Sequence, residues 1–237
     1  MIELRDVTKK YGTITALQNV NLKVKEGEFF ALLGPNGAGK TTILRILLDF
    51  THPTSGSAFI NGISCSNPDA RCNVGYLPEN LAIPGWICGY DYLMRHALLY
   101  GMNKDVAHNA IDRVIETVGM KGRERHAVGT YSKGMTQRIG LAAALIASPN
   151  IIILDEPGNG LDPIGTREFR IILENMKNRG VTLLLNSHIL SEVEKISTSA
   201  AIVNNGRIVV QDTIANLVRE GESLEDVFIR VAGRGSV

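Results

Sequence analysis

The chain has 237 residues, of which 44% are hydrophobic, and its formal net charge is +1. This composition suits a globular chain with one large domain or two small lobes. The near balance of charge gives no broad attraction to a phosphate backbone, so we expect no nucleic-acid partner. The start of the chain lacks a signal-peptide pattern, and no apolar run approaches the roughly 18 residues that a membrane helix needs. The odd number and the spacing of the cysteines match no zinc pattern and indicate free thiols, at Cys65, Cys72 and Cys88.

Strand and helix patterns alternate along the chain. Residues 2–7 and 20–25 alternate between apolar and polar side chains, which predicts half-buried strands. Continuous apolar runs predict buried central strands at residues 29–33, 151–154 and 181–185. Helical patterns lie between these runs, at about residues 40–49, 90–119 in two pieces, 133–148 and 164–179. Strands that alternate with helices predict an α/β fold with a mostly parallel sheet and helices packed on it.

Two local signals mark the last part of the chain. The Asn-Asn-Gly sequence at residues 204–206 separates two short apolar runs and predicts a β-hairpin, because Gly206 can take a positive φ. Ser223, followed by Asp226, predicts the capped start of a C-terminal helix. Earlier, between two core segments, residues 68–130 carry helical patterns and predict an inserted, largely helical lobe.

The strongest chemical motif follows the third predicted strand. Residues 34–41 read Gly-Pro-Asn-Gly-Ala-Gly-Lys-Thr and fit the G-x-x-x-x-G-K-[ST] phosphate loop, between a strand and a helix as that motif requires. Its glycines let backbone N–H groups close around a phosphate, and the helix N-terminus adds a partial positive charge. Lys40 is predicted to reach the β- and γ-phosphates, and the Thr41 hydroxyl to ligate Mg²⁺. The predicted nucleotide-binding residues of the loop are Gly34, Pro35, Asn36, Gly37, Ala38, Gly39, Lys40, Thr41 and Thr42.

Two carboxylates end the apolar strand at residues 151–154. Asp155 is predicted to lie beside the phosphate loop and hold the Mg²⁺ water shell. Glu156 is predicted to project towards the γ-phosphate and accept a proton from the attacking water. Alone, this pattern is equally typical of a polar strand end, and it gains its meaning from the phosphate loop.

A third motif precedes the helical pattern at residues 133–148. Ser132 is a natural N-cap, and Gly134 near the helix start permits close approach of a phosphate. Without context, an ordinary capped helix is the simpler interpretation. Its position, about 20 residues before the Asp155-Glu156 pair, favours a role in the nucleotide site.

With these motifs, the chain resembles the nucleotide-binding subunit of an ATP-binding-cassette transporter over about residues 2–231. The resemblance implies a phosphate-loop NTPase cassette with a mostly parallel core sheet, an antiparallel β subdomain and a helical subdomain. It implies a single ATP-binding domain over residues 1–237, with a core at about 1–67 and 131–237 and a helical lobe at about 68–130.

The resemblance also implies a site shared between two chains. Residues 132–138, here called the signature segment, resemble the family's LSGGQ signature, which completes the ATP site of the opposite subunit. Two copies, or this chain and a close paralogue, would then sandwich ATP between them, with Ser132 and Gly134 facing the partner's nucleotide. Residues 158–162, here called the interface loop, resemble the family's dimer-interface loop, with Asp162 as its acidic member.

Two further side chains receive roles from the resemblance. His188 follows a buried strand and resembles the switch histidine that contacts the γ-phosphate. Tyr11 fits the aromatic residue that stacks on adenine, although packing against a strand is the alternative. The implied catalytic set is Lys40, Glu156 and His188.

Some positions depart from the common family pattern. Glu79 stands where glutamine is usual and adds a carboxylate that could bind the metal or its water. Lys133 and Met135 replace a glycine and a glutamine of the signature, and Gly158 replaces a threonine or serine. Glu79 and the Tyr-Ser-Lys-Gly-Met sequence at residues 131–135 together resemble an exporter subgroup whose ATPase and membrane subunits are separate chains. That subgroup exports drugs, lantibiotics, polysaccharides or ions and includes NosF-like subunits.

The resemblance implies a transmembrane permease on a separate chain and a peripheral location at the cytoplasmic face of the membrane. In the family, the region after Glu79 receives a helix of the membrane subunit. We therefore expect Trp86, in an apolar stretch of this region, to be at least partly exposed in the isolated subunit, although packing inside the helical lobe is the alternative.

Three alternatives remain open from sequence. A soluble cassette ATPase acting on DNA or ribosomes would usually carry two cassettes or long coiled-coil insertions, which are missing here. A phosphate-loop kinase or GTPase would leave the signature segment and His188 unexplained, and the guanine motif Asn-Lys-x-Asp does not occur. The third is a binding module that has lost turnover; the intact Lys40, Asp155 and Glu156 argue against it.

Overall fold

The computed structural model describes residues 1–232. The strands in this part of the chain are β1 (Ile2–Tyr11), β2 (Ile14–Val24), β3 (Phe29–Leu33), β4 (Ser55–Ile60), β5 (Ile63–Ser64), β6 (Val74–Leu77), β7 (Ile151–Asp155), β8 (Thr182–Asn186), β9 (Ser199–Asn204) and β10 (Arg207–Thr213). The α-helices are α1 (Lys40–Leu47), α2 (Gly89–Leu99), α3 (Lys104–Thr117), α4 (Lys133–Leu145), α5 (Pro163–Lys177), α6 (Leu190–Ile196), α7 (Ile214–Leu217) and α8 (Leu224–Ala232). Short 3₁₀ turns lie at Pro68–Arg71 and Val128–Thr130.

The chain divides into two compact units, and each is described by itself. The first combines Met1–Cys72 with the chain from Gly180 onward, and the second is Asn73–Arg179. An antiparallel sheet in the first unit has the strand order β2-β1-β4-β5. Its strands alternate between buried and exposed side chains because one face packs on the interior and the other meets solvent.

A second group of strands in the first unit is mainly parallel. β3 lies between β8 and β9 and pairs with both in parallel, while β10 adds to β9 as an antiparallel hairpin. Every residue of β3 and β8 is buried, which explains the continuous apolar runs that mark them in the sequence. In the hairpin turn, Asn205 has φ 47° and Gly206 has φ 72°, the combination that a two-residue type I′ turn requires.

The second unit is mostly helical. Helices α2, α3 and α4 pack on one another, α4 packs on β6, and β6 pairs with β7 in parallel. Leu93 of α2, Ile111 of α3 and Ile139 of α4 are completely buried in this packing. Helix α5 buries one face, which contains Phe169 and Leu173.

The predicted central strands and helices are confirmed with shifts of a few residues at their ends. The predicted hairpin is confirmed, as is the predicted cap, since Ser223 and Asp226 exchange hydrogen bonds at the start of α8. The sequence does not predict β4, β5, β6, α6 and α7, which are short and lack a clear alternating or continuous apolar pattern. The second unit extends to residue 179 and so includes α4, β7 and α5 beyond the predicted lobe at 68–130.

Cysteines and hydropathy add two facts. All three cysteines are free, and burial raises the pKa of the Cys65 thiol to about 11, so this thiol stays protonated near neutral pH. Within residues 1–232, no helix is long and apolar enough to cross a bilayer.

Candidate functional site

The phosphate loop of the first unit forms a backbone cradle at the start of α1. Gly34 and Gly39 have φ values of 156° and 111°, in the region that favours glycine. A Cβ on Gly34 would lie 2.2 Å from the Val203 carbonyl oxygen, and one on Gly39 would lie 2.8 Å from the Ala16 carbonyl oxygen. Backbone atoms therefore exclude any side chain at both positions, which explains why the motif needs glycine there.

The N-terminus of α1 is open to an anion. Within the described residues, no side chain caps this end, and its first turn contains no acidic residue. The first N–H groups of a helix have no partner inside the helix and attract negative charge. Helices α3, α4 and α5, in contrast, each have a side-chain cap. The loop and this helix end together provide the donors that a phosphate group needs.

Lys40, the first residue of α1, is buried and lies inside the loop. Its ammonium donates to the carbonyl oxygens of Gly34 at 2.7 Å and Pro35 at 3.1 Å. Thr41 is exposed and Thr42 is half-buried, so both hydroxyls can be reached from outside. The positive charge is thus held at the centre of the cradle, where a triphosphate would lie.

The turn of the β9–β10 hairpin is hydrogen-bonded to the phosphate loop. Gly206 N–H donates to the Ala38 carbonyl at 2.9 Å, and the Gly206 carbonyl accepts from Gln18 N–H at 2.8 Å. Gly206 thus ties the phosphate loop to β2. The sequence predicts the turn but not this contact, because a turn pattern does not reveal which residues the turn contacts.

His188 leaves the parallel strands at the same edge as the phosphate loop. β3 and β8 are paired with Leu32 opposite Asn186, and the chain continues from their carboxyl ends into the loop and into Ser187-His188. Ser187 is buried, and its Oγ accepts from Ile189 N–H at 3.1 Å, which fixes the turn. His188 itself is exposed.

Tyr11 ends β1, and 42% of its surface is exposed. The ammonium of Lys9 lies 4.8 Å from the centre of its ring. The next strand, β2, contacts the phosphate loop through Ala16 and Leu17, which lie against Gly39. The Tyr11 ring is therefore open on the hairpin whose second strand reaches the loop.

In the second unit, the predicted acidic site residues lie at the carboxyl ends of two neighbouring parallel strands. β6 and β7 are paired with Leu77 opposite Leu154, so Glu79 and the Asp155-Glu156 pair follow at the same edge. Asp155 and Glu156 are buried, whereas Glu79 is exposed. Glu156 has φ 50°, a left-handed conformation that costs a non-glycine residue about 1 kcal/mol. Such local strain is common where a side chain is aimed at a reaction.

Glu79 is joined to the interface loop. The side-chain amide of Asn159 donates to Glu79 Oε1 at 3.4 Å. Asn159 also follows Glu156 by a tight turn, since its N–H donates to the Glu156 carbonyl at 3.1 Å. Glu79, the base candidate and the interface loop are therefore linked within one unit. The sequence motifs point to Glu79 and Glu156 but do not predict this hydrogen bond between Asn159 and Glu79.

The signature segment starts α4 as predicted. Ser132 is the N-cap, and its Oγ accepts from Met135 N–H at 3.2 Å, so the hydroxyl keeps its own hydrogen for another acceptor. Just before it, the Tyr131 hydroxyl donates to the Arg123 carbonyl at 2.7 Å, and burial raises the pKa of this phenol. A Cβ on Gly134 would come no closer than 3.6 Å to its neighbours, so packing within this unit does not require glycine there.

A cleft of about 1060 Å³ opens in front of the signature segment. Its lining includes Ser132, Lys133 and Gly134 of the signature segment and Gly160 and Asp162 of the interface loop. Asp162 is the N-cap of α5, where its Oδ1 accepts from Gly165 N–H at 2.6 Å. This acidic residue therefore has a structural role, and its role at a dimer interface stays a prediction.

Trp86 lies in the loop before α2, with 73% of its surface exposed, which confirms the expected exposure. The loop is anchored next to it, because Ile87 is buried and its carbonyl accepts from Val128 N–H at 2.8 Å. The guanidinium of Arg95 lies 5.6 Å from the centre of the indole ring. The indole is thus held in solvent on a fixed loop.

Comparison with known proteins identifies the architecture. A family model described as "ABC transporter" matches residues 17–159. The chain is 37% identical over 228 residues to the lantibiotic transport ATP-binding protein SrtF of Streptococcus pyogenes, and the match covers 96% of each chain. It is 38% identical over 214 residues to the bacitracin transport ATP-binding protein BcrA of Bacillus licheniformis, with 88% of this chain and 68% of that protein covered.

Solved structures agree with this result. A structure of the ATP-binding subunit of an ABC transporter aligns with a TM-score of 0.87 and 27% identity, covering 98% of this chain and 99% of the other. The dimeric structure of MJ0796, a bacterial ABC transporter cassette, aligns with a TM-score of 0.82 and 25% identity, covering 90% of this chain and 99% of the other. These matches confirm the predicted fold and ATPase class. The chain belongs to the ABC transporter family and is an ATP-binding, ATP-hydrolysing subunit of that family.

Proposed function

We propose that this subunit powers transport, in the export direction, by a separate membrane-spanning chain. The observation that carries the proposal is the phosphate cradle at the start of α1, in a chain that aligns along nearly its whole length with a lantibiotic transport ATP-binding protein. ATP binding closes two copies, or this chain and a close paralogue, face to face. Hydrolysis reopens them, and the cycle moves the membrane partner.

Nucleotide binding uses the phosphate loop and Tyr11. Backbone N–H groups of residues 34–42 hold the phosphates, and Lys40 exchanges its contacts with the loop carbonyls for the β- and γ-phosphate oxygens. The half-exposed ring of Tyr11 stacks on adenine. Its exposure and the contact of its hairpin with Gly39 support this role.

Three oxygen donors suit Mg²⁺, which prefers hard ligands and keeps several of its waters. They are the exposed Thr41 hydroxyl and the carboxylates of Asp155 and Glu79. When bound, the ion neutralises negative charge that develops on the phosphate oxygens. Glu79 replaces a neutral glutamine of the family pattern, so we assign to it an added electrostatic contribution to the metal site.

Hydrolysis is an in-line attack of water on the γ-phosphate. Glu156 accepts a proton from that water, and its strained backbone sets the direction of the carboxylate. Lys40 and His188 stabilise the charge on the transferring phosphoryl group. The shared edge at which the loop and His188 leave β3 and β8 supports this pairing of roles.

The second copy completes the site. Ser132 keeps a hydroxyl hydrogen and Gly134 is unconstrained by its own unit, as expected for groups that face an external phosphate. Asp162 acts in the interface loop beside them. The dimeric bacterial cassette among the solved structures supports a dimer of this kind.

Trp86 docks the membrane partner, so that the subunit works peripherally at the cytoplasmic face of the membrane. Aromatic side chains that are exposed in a free subunit and become buried on assembly dominate many interfaces. An exposed indole on an anchored loop supports this assignment.

The test is recovery of the tagged chain from membranes. We expect a membrane-spanning chain to co-purify, and ATPase activity to rise when that chain is reconstituted with the subunit. Recovery with ribosomes or DNA, and without any membrane chain, would contradict the proposal.

A further inference from the structure

Lys133 departs from the family pattern and has an unusual position. It is the first residue of α4, directly after the Ser132 cap, and it lines the cleft. A Cβ built on Gly160 would lie 2.3 Å from Lys133 Nζ and 3.1 Å from its Cε. The exposed side chain therefore lies along the interface loop, and it lines the same cleft as Ser132 and Gly134.

Lys133 differs from Arg138 in its ion pairing. Arg138, another cation of the cleft, pairs with Glu168 and also donates to the Val118 carbonyl. Within residues 1–232, the side chain of the exposed Lys133 makes no hydrogen bond or ion pair. The ammonium therefore remains available to a ligand that enters the cleft.

The ligand chemistry follows from what surrounds this ammonium. A hydroxyl that keeps its hydrogen, on Ser132, and the ammonium of Lys133 line the same cleft, and both groups favour an anion. Under the proposed function, the anion that reaches this cleft is the nucleotide held by the phosphate loop of a second copy. Its γ-phosphate is the group that distinguishes ATP from ADP.

We propose that Lys133 is an additional γ-phosphate-binding residue, acting on the ATP of the opposite copy. This inference rests on the proposed function. Part of the free energy of dimer closure would then be electrostatic and would depend on the γ-phosphate. The common signature has glycine at the position of Lys133 and lacks this charge. Closure should then weaken more steeply with salt than it does after Lys133 is neutralised.

The test measures the ATP concentration at which Glu156→Gln subunits form dimers, by light scattering after size exclusion. Adding Lys133→Ala should raise that concentration on the order of tenfold, because a charge-assisted contact is lost. Binding of ATP by dilute monomers should not change, because the phosphate loop is intact. Lys133→Arg should restore most of the loss.

Lys104→Ala is the matched control. Lys104 is also the first residue of a helix after a capping side chain, is exposed, and lies in the same unit outside the cleft. If Lys133→Ala reduces thermal stability, Lys133→Met replaces it, since methionine keeps the alkyl stem against Gly160 and removes the charge.

The outcomes separate this inference from the proposed function. Unchanged dimer formation with Lys133→Ala, or an equal effect of Lys104→Ala, overturns the role of Lys133 and leaves the ATP-driven dimer intact. Failure of Glu156→Gln subunits to dimerise at saturating ATP overturns both.

Discussion

The side-chain amide of Asn159 donates a hydrogen bond to Glu79 Oε1 over 3.4 Å and thereby joins two loops that lie 80 residues apart in sequence. One loop follows β6 and contains the added carboxylate, and the other follows the base candidate Glu156. A change of charge at Glu79 would therefore alter a hydrogen bond of the interface loop as well as the interaction with a metal ion.

Glu79→Gln should raise the Mg²⁺ concentration needed for half-maximal ATPase activity by about tenfold, because a charged oxygen donor becomes neutral. Asn159→Ala keeps the carboxylate and removes only its hydrogen bond, so it should cause a smaller shift. Glu79 is exposed and Asn159 half-buried, so the free energy of unfolding should change by only about 0.5 kcal/mol in either variant. A magnesium titration of ATPase activity checks this, and a wild-type curve for Glu79→Gln would remove Glu79 from the metal site.

Glu156→Gln should retain ATP binding and lose hydrolysis by roughly 10²–10⁴-fold, because the amide cannot accept the proton of the attacking water. Phosphate release and equilibrium binding of nucleotide give the two readouts. Glu174→Gln, on the exposed face of α5 in the same unit, is the control and should hydrolyse ATP normally. Hydrolysis at the wild-type rate in Glu156→Gln would show that another group is the base.

Trp86 makes docking visible, since it is the single tryptophan of the chain. Emission of the free subunit should be that of a solvent-exposed indole and should shift to the blue when the membrane chain binds. Trp86→Ala should leave folding and ATP binding unchanged but weaken co-purification on the order of tenfold. Phe50→Ala removes another exposed aromatic side chain and should leave co-purification unchanged. Equal recovery of the membrane chain with Trp86→Ala would exclude the docking role.

Much of the architecture follows from local signals in the sequence. Continuous apolar runs mark β3, β7 and β8 because these strands are buried on both faces. The phosphate loop can be predicted from sequence because nearby backbone atoms leave no room for a side chain at Gly34 and Gly39. The glycines of the motif therefore reflect a steric requirement. Short edge strands such as β5 have no comparable pattern, so the sequence does not predict them.

The remaining features depend on contacts between distant residues. One example is the hydrogen bond from Gly206 N–H to the Ala38 carbonyl, and another is the one from the Asn159 side chain to Glu79. The local sequence around Gly206 predicts only a turn, and that around Asn159 predicts only a loop. The left-handed backbone of Glu156 is likewise set by its surroundings, since a glutamate has no intrinsic preference for positive φ. For Lys133, the sequence reveals an unusual residue, and its location against Gly160 required the three-dimensional structure.

The central claim is that an ATP site is built from the phosphate loop of one copy and the signature segment of another. Lys40→Ala and Ser132→Arg subunits, each with its own tag, should be inactive alone. In a mixed dimer isolated through both tags, one composite site carries both defects and the other is intact. The most direct measurement is the ATPase activity of that mixed dimer. We predict activity well above that of either parent, and a mixed dimer as inactive as its parents would contradict the account.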